Sequence, residues 1–115
     1  MPYVQFTTNK HIFVEQEEEL LDATTSLIDI ISGKKPESTM VAINDDLTMM
    51  FKLNNEPCMK IDVYLYNEAS FEDRRRYAEE LMSRAALITG IDASRIYLTY
   101  STFDHWGRDG ILKGK

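Results

Sequence analysis

The residue with the clearest chemical potential is Pro2, which directly follows the initiator methionine. Initiator methionine is usually removed before proline, and its removal would leave a secondary amine at the start of the chain. The reference pKa of an α-amine is about 7.7–8.0, and burial in an apolar pocket or a nearby cation such as Lys34 lowers it. Such an amine suits a general base that removes a proton from a carbon beside a carbonyl. The alternative is that Pro2 is simply the end of the chain.

Other reactive side chains are few. Cys58 is the only cysteine, so the chain has neither an internal disulfide nor a Cys-x-x-Cys redox or zinc motif. His11 and His105 are the only histidines, and we expect both at the surface. The sequence therefore predicts no structural metal site.

The composition is that of one compact domain, which we assign to residues 1–115. Hydrophobic residues make up 43% and charged residues 28%, a balance typical of globular rather than disordered chains. The net charge of −6 disfavours nucleic acids and anionic membranes as partners. No apolar run approaches the roughly 20 residues that span a bilayer, and the N-terminus lacks the pattern of a signal peptide. We expect a cytoplasmic protein.

The chain contains an internal repeat. At an offset of 57 residues its two halves align without a gap over about 40 positions, with pseudo-repeats at about residues 2–46 and 58–103. Each half reads strand, helix, strand, because alternating β-branched and aromatic residues at 3–8 and 59–66 precede apolar residues at helical spacing. The two helical stripes are Leu20, Thr24, Leu27, Ile28 and Ile31, and Ala78, Leu81, Met82, Ala85 and Ile88.

Two such βαβ units predict an α+β fold, with a four-stranded mixed sheet, both helices on one face and short edge strands. Ser70 has the position of an N-cap for the second helix, and Gly33 and Gly90 have the positions of C-caps. The segment Leu47–Leu53 has no counterpart in the second half, and it predicts an extra short strand at an edge.

The second face of this sheet has no helix to cover it. Apolar residues such as Val4, Phe6, Ile61 and Val63 have to share the two faces, so we expect the uncovered face to be too apolar to be left in water. Oligomerisation would cover it.

The order of these features resembles that of one known family. Met-Pro-Tyr-Val opens the chain, a Gly-Lys-x-Pro turn at 33–36 ends the first helix, Glu-Pro-Cys lies at 56–58, and Arg-Ile-Tyr-Leu at 95–98 begins the last long strand. Over roughly residues 2–103 the chain resembles the macrophage migration inhibitory factor (MIF) family of the tautomerase superfamily. The resemblance implies the tautomerase fold and a symmetric homotrimer, whose sheets form a central barrel with active sites between subunits.

The resemblance also implies roles for five residues. Pro2 matches the catalytic proline, and Lys34 matches the active-site lysine, which would bind a substrate carboxylate or polarise an oxygen. Tyr97 matches the tyrosine that reaches the pocket from a neighbouring subunit, where it would donate a hydrogen bond or stack on an aromatic ring. Tyr66 stands where the family has a small or aliphatic pocket residue. Trp106, in a tail that departs from the family pattern, would wall the pocket or cover a subunit seam.

Two functional hypotheses follow. The first is a cofactor-free isomerase that interconverts the keto and enol forms of a small α-keto acid of the phenylpyruvate type, with Pro2 as base once Met1 is removed. The second is a trimer without catalytic activity that acts in binding or signalling. A bare ferredoxin-like ligand-binding module is a further alternative, and it would lack the pocket between subunits. Mammalian relatives are secreted without a signal peptide, which is the alternative to a cytoplasmic location.

Overall fold

The computed structural model describes residues 1–114, and Lys115, the last residue of the predicted domain, lies outside the described residues. The described chain has six strands and two α-helices: β1 (Pro2–Thr8), α1 (Val14–Ser26), β2 (Met40–Asn44), β3 (Met59–Tyr66), α2 (Phe71–Thr89), β4 (Ile96–Phe103), β5 (His105–Arg108) and β6 (Ile111–Gly114). Short 3-10 helices occupy Leu27–Ile30, Pro36–Ser38 and Ala93–Arg95.

The first four strands form one mixed sheet in the order β2-β1-β3-β4. The outer pairs, β1 with β2 and β3 with β4, are parallel, whereas the central pair of β1 and β3 is antiparallel. One core cluster unites side chains of both helices with alternate residues of β1 and β3, so both helices lie on the same face. The predicted α+β fold, a four-stranded mixed sheet with two helices on one face, is confirmed.

The pairing register follows the repeat in the sequence. Tyr3 pairs with Met40 in the first parallel pair, and the residues 57 positions further on, Lys60 and Tyr97, pair with each other in the second. The antiparallel pairing of β1 with β3 joins the two units. At each end of the sheet, the strands of one unit therefore begin where the strands of the other unit end.

The second helix has the ends that its sequence predicts. Ser70 accepts a hydrogen bond from the backbone N–H of Asp73 at 3.1 Å, and Gly90 closes the helix in the left-handed conformation with φ +75°. The prediction that Gly33 caps the first helix is wrong, because α1 ends at Ser26 with Leu27 as its C-cap and a 3-10 helix follows. No helix within residues 1–114, α2 included, is both long enough and apolar enough to cross a bilayer.

The core lies between the sheet and the two helices. Tyr77 is its largest fully buried side chain, and its hydroxyl donates a 2.8 Å hydrogen bond to the carbonyl oxygen of Thr24, which ties α2 to α1. The other fully or nearly fully buried apolar members are Val4, Phe6, Ile12, Leu20, Ile28, Ile31, Met59, Ile61, Val63, Leu65, Leu81, Ala85, Ile91 and Ile96.

The expectation of an apolar uncovered face is wrong. Side chains alternate between the two faces of a strand, and the aliphatic residues of β1 and β3, such as Val4 and Ile61, all share the helix-facing parity. The uncovered face carries polar and aromatic side chains instead. Lys60 forms an ion pair with Asp62 there and donates a 2.8 Å hydrogen bond to the hydroxyl of Thr99.

The predicted edge strand at Leu47–Leu53 is also wrong. Residues 47–50 have no regular secondary structure, and Phe51 forms only an isolated bridge with Asn54. Lys52 and Leu53 adopt positive φ values of 54° and 63°, which interrupt an extended backbone. The additional strands are β5 and β6, which form an antiparallel hairpin in the tail.

Candidate functional site

The residues predicted to act together meet at one end of the sheet, where β1 begins and β3 and β4 end. We call this end of the sheet the open end. Pro2 is buried there and pairs with Leu65. Two cavities that share Met1, Ser38 and Arg108 flank the start of the chain. The first, the lysine cavity of about 280 Å³, is lined by Met1, Gly33, Lys34, Lys35, Ser38, Tyr66, Asn67 and Arg108. The second, the tryptophan cavity of about 620 Å³, is lined by Met1, Pro2, Tyr3, Glu37, Ser38, Thr39, Met40, Trp106, Gly107, Arg108 and Asp109.

Lys34 is positioned by the turn that ends the first crossover. Gly33 has a φ of +83°, which a residue with a side chain rarely adopts, and the backbone N–H of Lys34 donates to the carbonyl oxygen of Ile31 at 3.0 Å. The ammonium group then reaches across to β3 and donates a 2.7 Å hydrogen bond to the carbonyl oxygen of Tyr66. Burial lowers the pKa of Lys34 because it disfavours the charged form.

The first residue of the chain lies in both cavities. The carbonyl oxygen of Met1 accepts a hydrogen bond from the backbone N–H of Tyr66 at 3.3 Å, which extends the pairing of β1 with β3 by one residue. Partial burial, followed by the positive charges of Lys34 and Arg108, lowers the pKa of the terminal amine from 8.0 to about 6. The surroundings at this end of the chain therefore favour the uncharged form of the Met1 amine. The prediction for a Pro2 amine stays a prediction.

Aromatic side chains line the neighbouring part of the uncovered face. The rings of Tyr3 and Tyr64 stack with centroids 5.5 Å apart, and Tyr64 stacks on Phe103 at 6.1 Å. Phe103 in turn meets Trp106 edge to face at 6.0 Å. These four rings, with Met40, His105 and Gly107, line a third cavity of about 460 Å³, which we call the aromatic cavity.

The structure brings four of the five predicted site residues together within one chain. Pro2 and Trp106 line the tryptophan cavity, and Lys34 and Tyr66 line the lysine cavity. Tyr97 lies near the opposite end of the sheet. Thr102 is the β4 residue level with Pro2, and Tyr97 is five residues before it, or about 17 Å along the strand. Its side chain is 60% exposed and packs edge to face on Phe51, with ring centroids 4.7 Å apart.

Sequence reasoning missed Arg108 as a site residue. Arg108 is the last residue of β5, and the hairpin turn at Asp109 and Gly110 directs the end of this strand toward Met1. Both turn residues have positive φ values of 55° and 74°. The signal that could have found this element is the Asp-Gly pair, which is one of the strongest short-range indications of a two-residue hairpin turn.

Three side chains that could bind a cation lie at the other end of the sheet. His11, Asp45 and Asp46 offer ligand atoms within 4.8 Å of one another, and the imidazole Nδ1 of His11 hydrogen-bonds Asp46 at 2.8 Å. His11 and His105 are both exposed, as the sequence predicts. The cluster at His11 is far from the open end, because it follows the last residues of β1 and β2.

Solved structures of several known proteins have a similar fold. The MIF2 of Leishmania major matches with a TM-score of 0.91 and 21% identity, over 98% of this chain and 97% of that one. The MIF homologue of Prochlorococcus marinus matches with a TM-score of 0.86 and 19% identity, over 97% and 99%. Pt0534 inactivated by 2-oxo-3-pentynoate matches with a TM-score of 0.81 and 18% identity, over 94% and 93%. At these identities, structural likeness shows the fold alone.

The family follows from the sequence itself. No curated protein matches the chain. The sequence model of the family described as macrophage migration inhibitory factor (MIF), however, matches residues 1–110, which is nearly the whole chain. The resemblance seen in the sequence is confirmed: the chain belongs to the MIF family.

Proposed function

We propose that the chain is a MIF-like tautomerase, an isomerase that interconverts the keto and enol forms of a small α-keto acid of the phenylpyruvate type. The observation that carries the proposal is the position of Pro2, which is buried at the open end between Met1 and the aromatic residues, where the surroundings lower the pKa of the Met1 amine to about 6 and Lys34 lines the adjoining cavity. An uncharged amine beside a lysine combines a base with an anchor for an anion. Removal of Met1 transfers the role of the terminal amine to Pro2.

The reaction needs one proton and no cofactor. The nitrogen of Pro2 takes the proton from the carbon next to the substrate carbonyl, and the electron pair of that C–H bond becomes the C=C bond of the enol. The carbonyl electrons move to oxygen, which then takes the same proton back from the Pro2 ammonium. Lys34 binds the carboxylate or polarises the oxygen on which negative charge develops.

Trimming also changes the hydrogen bonding of Tyr66. Its backbone N–H donates to the carbonyl oxygen of Met1, and its carbonyl oxygen accepts from Lys34. Loss of Met1 removes the first of these partners and leaves an N–H donor facing the space beside Pro2. In this proposal that N–H donates a hydrogen bond to a substrate oxygen.

The aromatic cavity supports an aryl substrate. It shares Tyr3 and Trp106 with the tryptophan cavity, so a ring bound there would stack on aromatic side chains while the keto acid lies beside Pro2. A keto acid is also the kind of molecule that inactivates a structural neighbour, Pt0534, whose ligand is 2-oxo-3-pentynoate. The aryl group distinguishes the phenylpyruvate type from smaller keto acids.

The proposal includes a homotrimer in the cytoplasm. In a single chain Tyr97 is 60% exposed and about 17 Å from the level of Pro2 along the strand. In this proposal Tyr97 of one subunit therefore reaches the site at Pro2 of a neighbouring subunit. Cyclic symmetry would repeat this arrangement at each interface.

The decisive experiment combines intact-mass spectrometry with an assay of phenylpyruvate enol ketonisation. We expect natively expressed protein to lack Met1 and to catalyse the reaction, and Pro2→Ala to lower kcat by about 100-fold or more, since general bases contribute about 10²–10⁴-fold. Pro36→Ala, at an exposed proline that lines none of the three cavities, is the matched control and should retain full activity.

Two outcomes would contradict the enzyme proposal. Retention of Met1 would turn the nitrogen of Pro2 into an amide, which is not basic. Equal rates in wild type and Pro2→Ala would exclude Pro2 as the base. Retention of Met1 would favour the alternative of a non-catalytic trimer in binding or signalling. Both cavities at the open end would then be lined by Met1, and neither would contain a basic Pro2 nitrogen.

A further inference from the structure

Arg108 lies where the two cavities at the open end meet. Lys34 lines only the lysine cavity and Pro2 only the tryptophan cavity, whereas Arg108 lines both. The β5–β6 hairpin therefore adds a guanidinium group to a site that β1 and the first crossover otherwise build.

The two cations differ in how many donors they have to spare. The ammonium of Lys34 already donates to the carbonyl oxygen of Tyr66 at 2.7 Å. Within residues 1–114 the side chain of Arg108 makes one ion pair, from Nε to a carboxylate oxygen of Asp109 at 3.5 Å. Asp109 is 80% exposed, so this pair is weak. The two terminal nitrogens of the guanidinium keep their N–H donors.

The charge around Arg108 favours a small anion. After burial, the positive charges of Lys34 and Arg108 lower the pKa of the Met1 amine, so both charges act on the residue next to Pro2. Glu37 and Asp109 are the acidic residues that line the tryptophan cavity, and no acidic residue lines the lysine cavity among the described residues. A planar guanidinium binds a carboxylate through two parallel hydrogen bonds, which an ammonium cannot do.

We propose that Arg108 is a binding residue for the carboxylate of the substrate, so that this enzyme selects anionic keto acids over their neutral analogues. The proposal rests on the proposed function, because the carboxylate is that of the α-keto acid. Lys34 remains the second cation, beside the oxygen that becomes the enolate. Selectivity for an anion then depends on the tail of the chain rather than on the repeated unit alone.

The first test separates binding from chemistry. A hydrogen bond to a charged group contributes about 1.5–3 kcal/mol, so Arg108→Gln should raise KM for phenylpyruvate enol about 10- to 100-fold, with kcat changed less than about threefold. The same variant should leave KM for the methyl ester of phenylpyruvate enol nearly unchanged. Arg108→Lys, which keeps the charge but not the two parallel bonds, should lie between wild type and Arg108→Gln. Arg84→Gln, at an exposed arginine of α2, is the matched control.

A second test does not depend on catalysis. An NMR titration with 3-phenylpropionate, which has no ketone and cannot react, should give a dissociation constant at least about tenfold larger in Arg108→Gln than in wild type. If the enzyme proposal fails and this difference remains, Arg108 still binds carboxylates. An unchanged dissociation constant would overturn the inference, as would an equal loss of affinity for the acid and the ester, which would indicate a structural role.

Discussion

At the open end of the sheet β1 begins and β3 ends, and at the other end, which we call the closed end, β3 begins and β1 ends. The repeat makes the two ends equivalent, because residues 57 positions apart occupy corresponding places. Pro2 corresponds to Met59, and Lys34 corresponds to Ile91. The same backbone therefore builds a cavity with a cation and an amine at one end and a filled core at the other.

The closed end is filled by apolar side chains and tied by hydrogen bonds. Met59 and Ile91 are each 2% exposed. The hydroxyl of Thr8 donates to the carbonyl oxygen of Cys58 at 2.7 Å, and the side-chain oxygen of Asn9 accepts from the N–H of Cys58 at 2.9 Å. Met59 continues from a preceding chain, so no terminal amine exists there. The candidate site therefore depends on the chain start and on a few substituted side chains rather than on the βαβ unit.

The largest effect is expected when the cation of the open end is placed at the closed end. Ile91→Lys puts an ammonium in the position of a buried aliphatic side chain, and we expect it to lower the free energy of unfolding by about 3 kcal/mol or more. Urea unfolding followed by circular dichroism measures this change. Ile111→Lys, at a side chain that is 64% exposed, is the control and should change stability by less than about 0.5 kcal/mol. A stable Ile91→Lys variant would mean that the closed end can open.

The reverse exchange tests the open end. Lys34→Ile introduces the residue of the closed end, and we expect it to lower kcat/KM for phenylpyruvate enol by about 10- to 100-fold, because an anion-binding charge is lost. Stability should change little, since Lys34 is only partly buried. Lys113→Ile, at an exposed lysine of β6 that lines none of the three cavities, is the control and should keep near wild-type activity. If both variants were equally active, Lys34 would not anchor the substrate.

The sequence predicts the repeated parts of this comparison well and the unique parts poorly. The four strands of the sheet and α2 follow from periodicity and from the offset of 57 residues. The end of α1 does not, because a 3-10 helix at Leu27–Ile30 replaces its last turns before Gly33, whereas α2 continues to Gly90. The polar uncovered face was mispredicted because the aliphatic residues of β1 and β3 were not separated by parity. Arg108 was missed as a site residue because its position depends on how a hairpin without a counterpart in the first unit folds back on the chain start.

A smaller effect is expected from the hydrogen bonds that tie the closed end. Thr8→Val keeps the shape of the side chain but removes the donor to Cys58 and the acceptor for the N–H of Lys10, which is 3.1 Å away. We expect the free energy of unfolding to fall by about 1–2 kcal/mol, because buried groups lose their partners. Thr25→Val is the control, since that hydroxyl bonds only to carbonyls of its own helix. Equal losses of unfolding free energy in the two variants would show that the hydrogen bond from Thr8 to Cys58 stabilises the fold no more than a hydrogen bond within one helix.

The two ends also respond to pH with opposite signs in a chain that retains Met1. At the open end the pKa of the amine falls from 8.0 to about 6, so between these values the unfolded chain binds more protons and stability rises with pH. At the closed end the hydrogen bond that the His11 imidazole donates to Asp46, with the charges of Asp46, Asp45 and Glu17, raises the pKa of His11 above 6.5. That contribution to stability is complete below pH 6.5 and is lost as the pH rises through the raised pKa.

The smallest effect is expected when His11 is removed from this balance. In His11→Asn the opposing contribution of the closed end is absent, so the free energy of unfolding should rise more steeply between pH 6 and pH 8 than in wild type. The difference is small because the side chain of His11 is 56% exposed, which lets water screen its partners. Urea unfolding of the Met1-retaining chain at several pH values measures the two slopes, with His105→Asn as the control for loss of a surface imidazole. Parallel curves for wild type and His11→Asn would mean that the pair with Asp46 does not stabilise the fold, and the pH dependence would then belong to the open end alone.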